Sequence, residues 1–526
     1  VWECGSKGAA GNKIFEKKGI VLFFSWSLSR MIEEEKCSML NDQFSIGENF
    51  FMKHTKIVAT VGPASEAKET LRDMVRAGMN VARLNFSHGE YSWHEMVINR
   101  VRELSEELST PIAILADIQG PRIRTLVDEP FAVKKGDTVY VGDVSGKDVF
   151  PKTRGHRFFL DQPNIVSDIE VDDMILVEDG LIQFQVIKKE GIALELEAVN
   201  EGEIKNHKGV NLPDSKLRLP VLTDKDEKDL HFVTEQGVDY VGLSFVGSAD
   251  DIRATRKVMA ETGIDEVLLP KIVAKIERKE AVKNLKEIVR EADAVMVARG
   301  DLGIELPAAR VAILQKEIIA ESLSAVRPVI VATQMMKSMT ENPRPTRAEV
   351  SDVTNAVIDH ADAVMLSEES ASGKYPVETV RTMREIIENT EDSPFDNVYD
   401  AIEMNLRSEY STVVRGVYEL AKSYDAESIL LMSESGFTAR LMSHFRPVSR
   451  LFVATNNRRA WNRMALLWGV DASLFADNTA LDGIIDRLIE KLLREDKVKK
   501  GERAVLCLGR HRNNDRLQLI GVREIG

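Results

Sequence analysis

Two short runs of this chain carry the residue types that handle a transferring phosphoryl group. Ala274-Lys275-Ile276-Glu277 and Val297-Ala298-Arg299-Gly300-Asp301-Leu302-Gly303 each end an apolar stretch. A lysine neutralises phosphoryl oxygens, and two carboxylates can hold a divalent ion that bridges to phosphate. Spacing alone serves an exposed ion pair equally well. A third run, Asn80-Val-Ala-Arg83-Leu-Asn85-Phe-Ser87-His88-Gly89, alternates polar groups with period two. In an extended segment that period sends Arg83, Asn85 and Ser87 to one side, a face suited to phosphate or a cation, or equally to an ordinary strand end. Near the C-terminus, Met432-Ser433-Glu-Ser435-Gly436-Phe437-Thr438 follows a strand-like run and opens a helical one. Its backbone N–H groups and hydroxyls can cradle a phosphate, and the same residues also make a plain helix cap.

These residues need elements to hold them. From Lys56 onward, short β-branched runs alternate with longer helical segments, the pattern of parallel βαβ units. Strands are predicted at Lys56 to Thr60, Val81 to Leu84, Ile112 to Asp117, Tyr240 to Ser244, Leu268 to Lys275, Ala294 to Ala298, Val329 to Thr333 and Ala363 to Leu366. Eight such strands close into a barrel whose active site lies at their C-terminal ends. Arg83, Asn85, Asp117, Lys275, Glu277, Asp301, Thr333 and Ser367 all fall at or just past those ends. The interval between the third and fourth strands far exceeds an ordinary loop and predicts an inserted domain. Strand-like runs at Asp137 to Val141, Met174 to Val177, Ile182 to Ile187 and Ala193 to Ala198 make that insert a small all-β lid. The acidic, proline-containing Glu391-Asp-Ser-Pro-Phe reads as a linker. Beyond it, Ser428 to Met432, Leu451 to Ala454 and Ala504 to Leu508 alternate with helical segments, an independent α/β domain.

Composition bounds the function. The 526 residues carry 70 basic and 84 acidic side chains, a net charge of −14 that repels nucleic-acid phosphates and anionic membrane surfaces. An anionic ligand therefore needs a local basic pocket. The three cysteines, Cys4, Cys37 and Cys507, lack metal-ligand spacing and fit a reducing compartment. No apolar run approaches the roughly 20 residues of a membrane span. Residues 1–51 show no sustained period, and the Lys17-Lys18-Gly-Ile-Val-Leu-Phe-Phe stretch only weakly imitates a signal peptide. Met52 stands directly before the first patterned segment, so residues 1–51 are expected to lie outside the natural protein.

Taken together, the motifs resemble one family, pyruvate kinase. The matching strings, in the family's order, are TKIVATVGPAS from Thr55, GMNVARLNFSHG from Gly78, DIQGPRIRT from Asp117, KGVNLP from Lys208, KIE at Lys275, ARGDLG from Ala298, ATQMMKSM from Ala332, NPRPTRAEVSDV from Asn342 and LSEESASGKYP from Leu366. The resemblance runs from Met52 to the C-terminus and weakens after Ser393. It implies a (β/α)8 TIM barrel A domain (52–124 and 219–392), a β-barrel lid B domain (125–218) and a regulatory C domain (393–526). It also implies a cytoplasmic, glycolytic homotetramer that transfers the phosphoryl group of phosphoenolpyruvate to ADP, giving pyruvate and ATP.

Carried over by residue, the resemblance makes Glu277 and Asp301 the Mg²⁺ (or Mn²⁺) ligands and Lys275 the cation on the phosphoryl group in flight. Arg83 engages the substrate phosphate, and Gly300, Asp301 and Thr333 hold its carboxylate. Asn85, Phe86, Ser87, His88, Arg124 and Lys208 contact nucleotide. Thr333 and Ser367 lie near a water chain that protonates the enolate. The family's K⁺ pocket corresponds to Asn85, Ser87, Asp117 and the Ile118 carbonyl. K⁺-dependent members carry glutamate where this chain has Arg122, and lysine where it has Gln119, so Arg122 is expected to supply the charge and make K⁺ unnecessary. Ser433, Ser435, Gly436, Phe437 and Thr438 resemble the effector-phosphate loop. Gly509-Arg-His-Arg-Asn-Asn-Asp-Arg replaces the family's Gly-rich effector loop. A Mg²⁺-dependent carbon–carbon lyase on a related barrel and a non-catalytic effector sensor are the alternatives; the first lacks the insert and C domain, and the second would not keep Lys275, Glu277, Asp301, Arg83 and Thr333 together.

Overall fold

The computed structural model describes residues 53–149, 155–215, 217, 220–396, 409–475, 483–512 and 515–526. The expectation about residues 1–51 lies outside the described residues.

Eight parallel strands close a barrel in chain order: Lys56–Thr60, Val81–Asn85, Ala113–Asp117, Tyr240–Leu243, Lys271–Ile276, Ala294–Ala298, Val329–Ala332 and Ala363–Leu366. The strands are four to six residues long and nearly all buried, because one face packs on helices and the other fills the barrel. Ile57, Ile114, Ile272, Val295 and Val331 turn outward to the helix layer. Val58, Leu115, Val273, Met296, Ile330 and Met365 turn inward and stack with Ala465 and Leu466 of the C-terminal part, which plug the barrel floor. The functional groups are consequently confined to the opposite, C-terminal rim.

The predicted start of the fifth strand at Leu268 is corrected to Lys271. Asp265 accepts the Val267 N–H at 3.0 Å and starts a 3-10 turn over Glu266–Leu268. Pro270 then lacks the N–H that a barrel strand needs for its ladder.

Between the third and fourth barrel strands the chain builds a second closed barrel of seven strands. Its first strand, Ile123–Leu126, and its last, Gly209–Asn211, pair antiparallel with each other, Arg124 facing Gly209 and Ile123 facing Val210. Phe158, Phe184, Leu194, Leu196, Ile175 and Val141 form its own core. The C-terminal part carries a five-stranded sheet in the order Val470–Leu474, Arg450–Thr455, Ser428–Met432, Arg503–Arg512, Asp515–Glu524, parallel except for the last pair. Cys507 is buried in that sheet as a free thiol. No helix among the described residues is long and apolar enough to cross a membrane.

Candidate active site

Lys275 projects from the fifth strand into a set of buried carboxylates. Its Nζ lies 2.8 Å from Glu277 Oε1 and 3.2 Å from Asp117 Oδ1, and donates to Ser244 Oγ at 2.8 Å. Arg83, from the second strand, places Nε 2.7 Å from Asp117 Oδ2 and donates from NH1 to Thr60 Oγ1 at 2.8 Å. The Thr60 hydroxyl in turn donates to the Leu366 carbonyl at 2.8 Å, so the second, first and eighth strands are tied through Arg83. Glu277 Oε2 accepts the Phe245 N–H at 2.8 Å, with Phe245 held at φ +57°. Gly120 sits at φ +72°, and a Cβ there would fall 2.9 Å from the Phe245 ring, so the turn that carries Asp117 past Phe245 requires glycine.

The charge states follow from burial and pairing. Burial works to lower the Lys275 ammonium, but the Asp117 and Glu277 carboxylates outweigh it and hold it above its ordinary range. Asp117 is lowered, because Lys275 and Arg83 overcome the effect of its burial. Glu277 goes the other way, pushed up to about 7 by burial and by neighbouring Asp301, with Lys275 opposing. Glu277 is thus buried and repelled by the Asp301 carboxylate, an electrostatic condition that a divalent cation relieves.

Asp301 stands in the first turn of the helix Arg299–Glu305, which begins directly at the end of the sixth strand. Gly300 N–H donates to Thr333 Oγ1 at 2.8 Å, joining the sixth and seventh strand ends. Thr333 and Gln334 both adopt left-handed backbone, φ +67° and +55°, a strained conformation for non-glycine residues. Arg299 holds it in place: buried, it donates to the Thr333 carbonyl at 2.6 Å and pairs with Asp352 at 2.7 Å. Sequence reasoning did not single out Arg299; its signal was a charged residue directly after the apolar run Ala294–Ala298. Ser367 follows the eighth strand, its N–H on Glu369 Oε2 at 2.7 Å.

In the Asn85 to His88 stretch, Asn85 Oδ1 accepts the Ser87 N–H at 3.1 Å and His88 is exposed. Phe86, expected with its neighbours to contact nucleotide, presents its backbone rather than its ring to that stretch. Its ring is 2 % exposed and stacks on His94, centroids 3.9 Å apart, while its carbonyl accepts from Lys225 at 2.7 Å. Period two predicts this, since Phe86 faces opposite Asn85 and Ser87. The Ile118 carbonyl accepts the Ser244 hydroxyl at 2.7 Å.

Across the lid, the paired strands bring Arg124 and Lys208 together; Lys208 Nζ lies 2.5 Å from Glu178. Arg122 does not reach the Asn85, Ser87, Asp117 and Ile118 group. Its guanidinium turns to the lid, 3.2 Å from Asp179 and against the Gly209 backbone. The reason is local: Arg122 immediately precedes the first lid strand, whose partner strand begins at Gly209. Arg122, Arg278, Asp301, Glu305 and Phe245 line a narrow cleft of about 30 Å³ between lid and barrel.

In the C-terminal sheet, Gly436 at φ +80° precedes the helix Phe437–His444. Ser435 Oγ accepts the Phe437 N–H at 3.4 Å, Ser433 is buried, and Thr438 is half-buried. The side chains of residues 509–516 lie outside those described.

A TIM barrel that gathers a lysine, an arginine and carboxylates at its strand ends, beneath an inserted β-barrel, has the layout of a phosphotransferase. Comparison with known families gives it a name: residues 52–380 match "Pyruvate kinase, barrel domain" and residues 411–520 match "Pyruvate kinase, alpha/beta domain". Relatives named pyruvate kinase from Staphylococcus saprophyticus and Geobacillus stearothermophilus are each 38% identical, over 466 and 467 residues; one from Staphylococcus aureus is 36% identical over 469. Each alignment covers 87% of this chain and 78% of the relative. The chain belongs to the pyruvate kinase family, and it is a phosphotransferase with the function of that family.

Proposed function

We propose that this site transfers the phosphoryl group of phosphoenolpyruvate to ADP, and that the buried set Lys275, Arg83, Asp117 and Glu277 carries the reading. Positioning and charge neutralisation dominate such transfers. Lys275 and Arg83 are both charged and both fixed by Asp117, so they are pre-aimed before substrate arrives. Lys275 neutralises the phosphoryl oxygens in flight, and Arg83 orients the phosphate. The Gly300–Thr333 pair, locked by Arg299, positions the carboxylate end of the substrate. Thr333 and Ser367 border the enolate, to which a proton is delivered through water.

Glu277 and Asp301 would hold Mg²⁺ or Mn²⁺. The donor set fits: two hard oxygen donors, one raised to about 7 by burial and by the other's charge, suit a cation that takes one or two carboxylates and completes its shell with water and phosphate. When bound, the ion supplies charge neutralisation to the phosphate oxygens. Arg124, Lys208, Asn85, Ser87 and His88 are the nucleotide contacts of this proposal.

Potassium independence is part of the proposal. The Arg122–Asp179 pair is 40% and 63% exposed and worth less than about 1 kcal/mol. Arg122, already lining the cleft beside Asp301, is free to turn toward an anionic substrate. The barrel, lid and C-terminal divisions, a homotetramer, a cytoplasmic location and a phosphorylated effector on the Ser433 to Thr438 loop complete the reading. A coupled assay of pyruvate formation from phosphoenolpyruvate and ADP with Mg²⁺, with and without K⁺, tests it. Absence of pyruvate would overturn the assignment of substrates.

A further inference from the structure

One roomy cavity lies away from the catalytic cleft. A cavity of about 540 Å³ opens between the barrel and the C-terminal part, a volume within the range of small-molecule sites. Arg256, Lys257 and Lys271 line it from the barrel, and Arg459 and Arg463 from the C-terminal part; Glu266 is the one carboxylate in the lining. Four excess positive charges therefore converge in a chain whose net charge is −14.

Such a cluster must be compensated or bind an anion. Asp293 answers part of it, 3.0 Å from Arg256 and 3.7 Å from Lys271. The two arginines of the C-terminal part have no ion pair among the described residues. Arg463 spends one amine on the Leu269 carbonyl at 2.6 Å, and its Nε is buried without a hydrogen bond. Arg459 NH1 is likewise buried and unbonded, as is Nε of nearby Arg440. Burial depresses both Arg459 and Arg463 below the usual guanidinium range, with repulsion from Arg463 and Arg102 adding to it at Arg459, and Asp239 and Asp293 partly offsetting it at Arg463. Guanidinium groups without an ion-pair partner in a cavity wall are an arrangement that an oxyanion can complete. Another wall is apolar, formed by Met259, Ile264, Leu269 and Pro270.

We propose that this cavity is a second anion site, distinct from the catalytic cleft, which takes a phosphate monoester whose organic body has an apolar face. The phosphate sits on Arg459 and Arg463, and the body lies along Met259, Ile264 and Pro270. Ser435 lines one edge of the cavity. A ligand here therefore touches the loop that opens the helix Phe437–His444 and bridges barrel to C-terminal part.

Direct calorimetric titration of the full chain with phenyl phosphate and with inorganic phosphate tests this, independently of turnover. Phenyl phosphate is expected to bind more tightly than inorganic phosphate. Arg459→Met is expected to weaken it about tenfold or more, the worth of one charged hydrogen bond. Lys257→Glu, at an exposed position that asks nothing of folding, is expected to weaken it as well. Thr438→Glu is expected to keep wild-type affinity, because Thr438 is not among the residues that line the cavity, although Ser435 of the same loop is. Failure of the wild type to bind phenyl phosphate, equal affinity for inorganic phosphate, unchanged binding in Arg459→Met and Lys257→Glu, or loss in Thr438→Glu would each overturn the proposal.

Discussion

Replacing Lys275 with methionine separates chemistry from folding in a way that the structure allows to be worked through. At 2.8 and 3.2 Å from two carboxylates, the ammonium makes gross attractions of about 5 to 6 kcal/mol each at an effective dielectric near 20. Deleting one member of a buried ion pair ordinarily destabilises by about 3 to 5 kcal/mol, because the partner stays charged. Here the loss is capped. Arg83 continues to hold Asp117, and Glu277, already pushed to about 7 by burial, takes up a proton instead of remaining an unpaired anion. A carboxyl raised above its ordinary 4.5 carries a proton that the unfolded chain has released, so its contribution to stability falls as pH rises toward the folded value. In the wild type that decline ends near 7; in Lys275→Met it continues above 7. The variant's Tm, measured without divalent ions, should lie near wild type at pH 6 and drop below it by pH 8. Its kcat should fall about 10²- to 10³-fold, or about 3 to 4 kcal/mol of lost transition-state stabilisation. Retention of a tenth of wild-type turnover, or a Tm gap that ignores pH, would refute this account of Lys275.

Asp301→Ala should raise the Mg²⁺ concentration needed for half-maximal rate, since it removes one of two hard oxygen donors; an unchanged Mg²⁺ curve would contradict that role. Arg299→Met should lower kcat/KM and destabilise the fold, because it removes the hydrogen bond that holds the strained Thr333 backbone, while Asp352, 37% exposed, stays solvated; thermal melts with steady-state kinetics read both. Thr438→Glu should abolish activation by phosphorylated effectors while leaving the rate at saturating substrate intact; substrate curves with and without sugar phosphates check it. Near-full activity is expected in K⁺-free buffer with Mg²⁺, and Arg122→Glu should lower it and make it respond to K⁺; strong K⁺ activation of the unmutated enzyme would exclude a charge role for Arg122.

Barrel strands were legible because a strand buried on both faces has to be apolar throughout. Lys56–Thr60, Ala294–Ala298 and Ala363–Leu366 coincide with their predicted bounds for that reason. The catalytic rim was legible because polar residues interrupt such runs only where a strand leaves the core. Three-residue lid strands such as Gly202–Ile204 and Gly209–Asn211 are too short to show any period, and they were missed. The burial of the Phe86 ring follows from the same period-two alternation that turns Asn85 and Ser87 to the other side. Arg122 and Arg299 depended on partners far along the chain, Asp179 and Asp352, which no local pattern reveals.

The pairing of the first and last lid strands bears on how the barrel closes during folding. Its third and fourth strands pair directly, Leu115 beside Tyr240, although about 120 residues separate them. If the lid folds first, the Ile123–Leu126 and Gly209–Asn211 ribbon shortcuts that detour to roughly 35 residues, which lowers the closure entropy by about 1 kcal/mol. The insert would then act as a folding clamp for the domain that hosts it, and cavities cut into the Phe158 and Phe184 core would slow assembly of a barrel those side chains never touch.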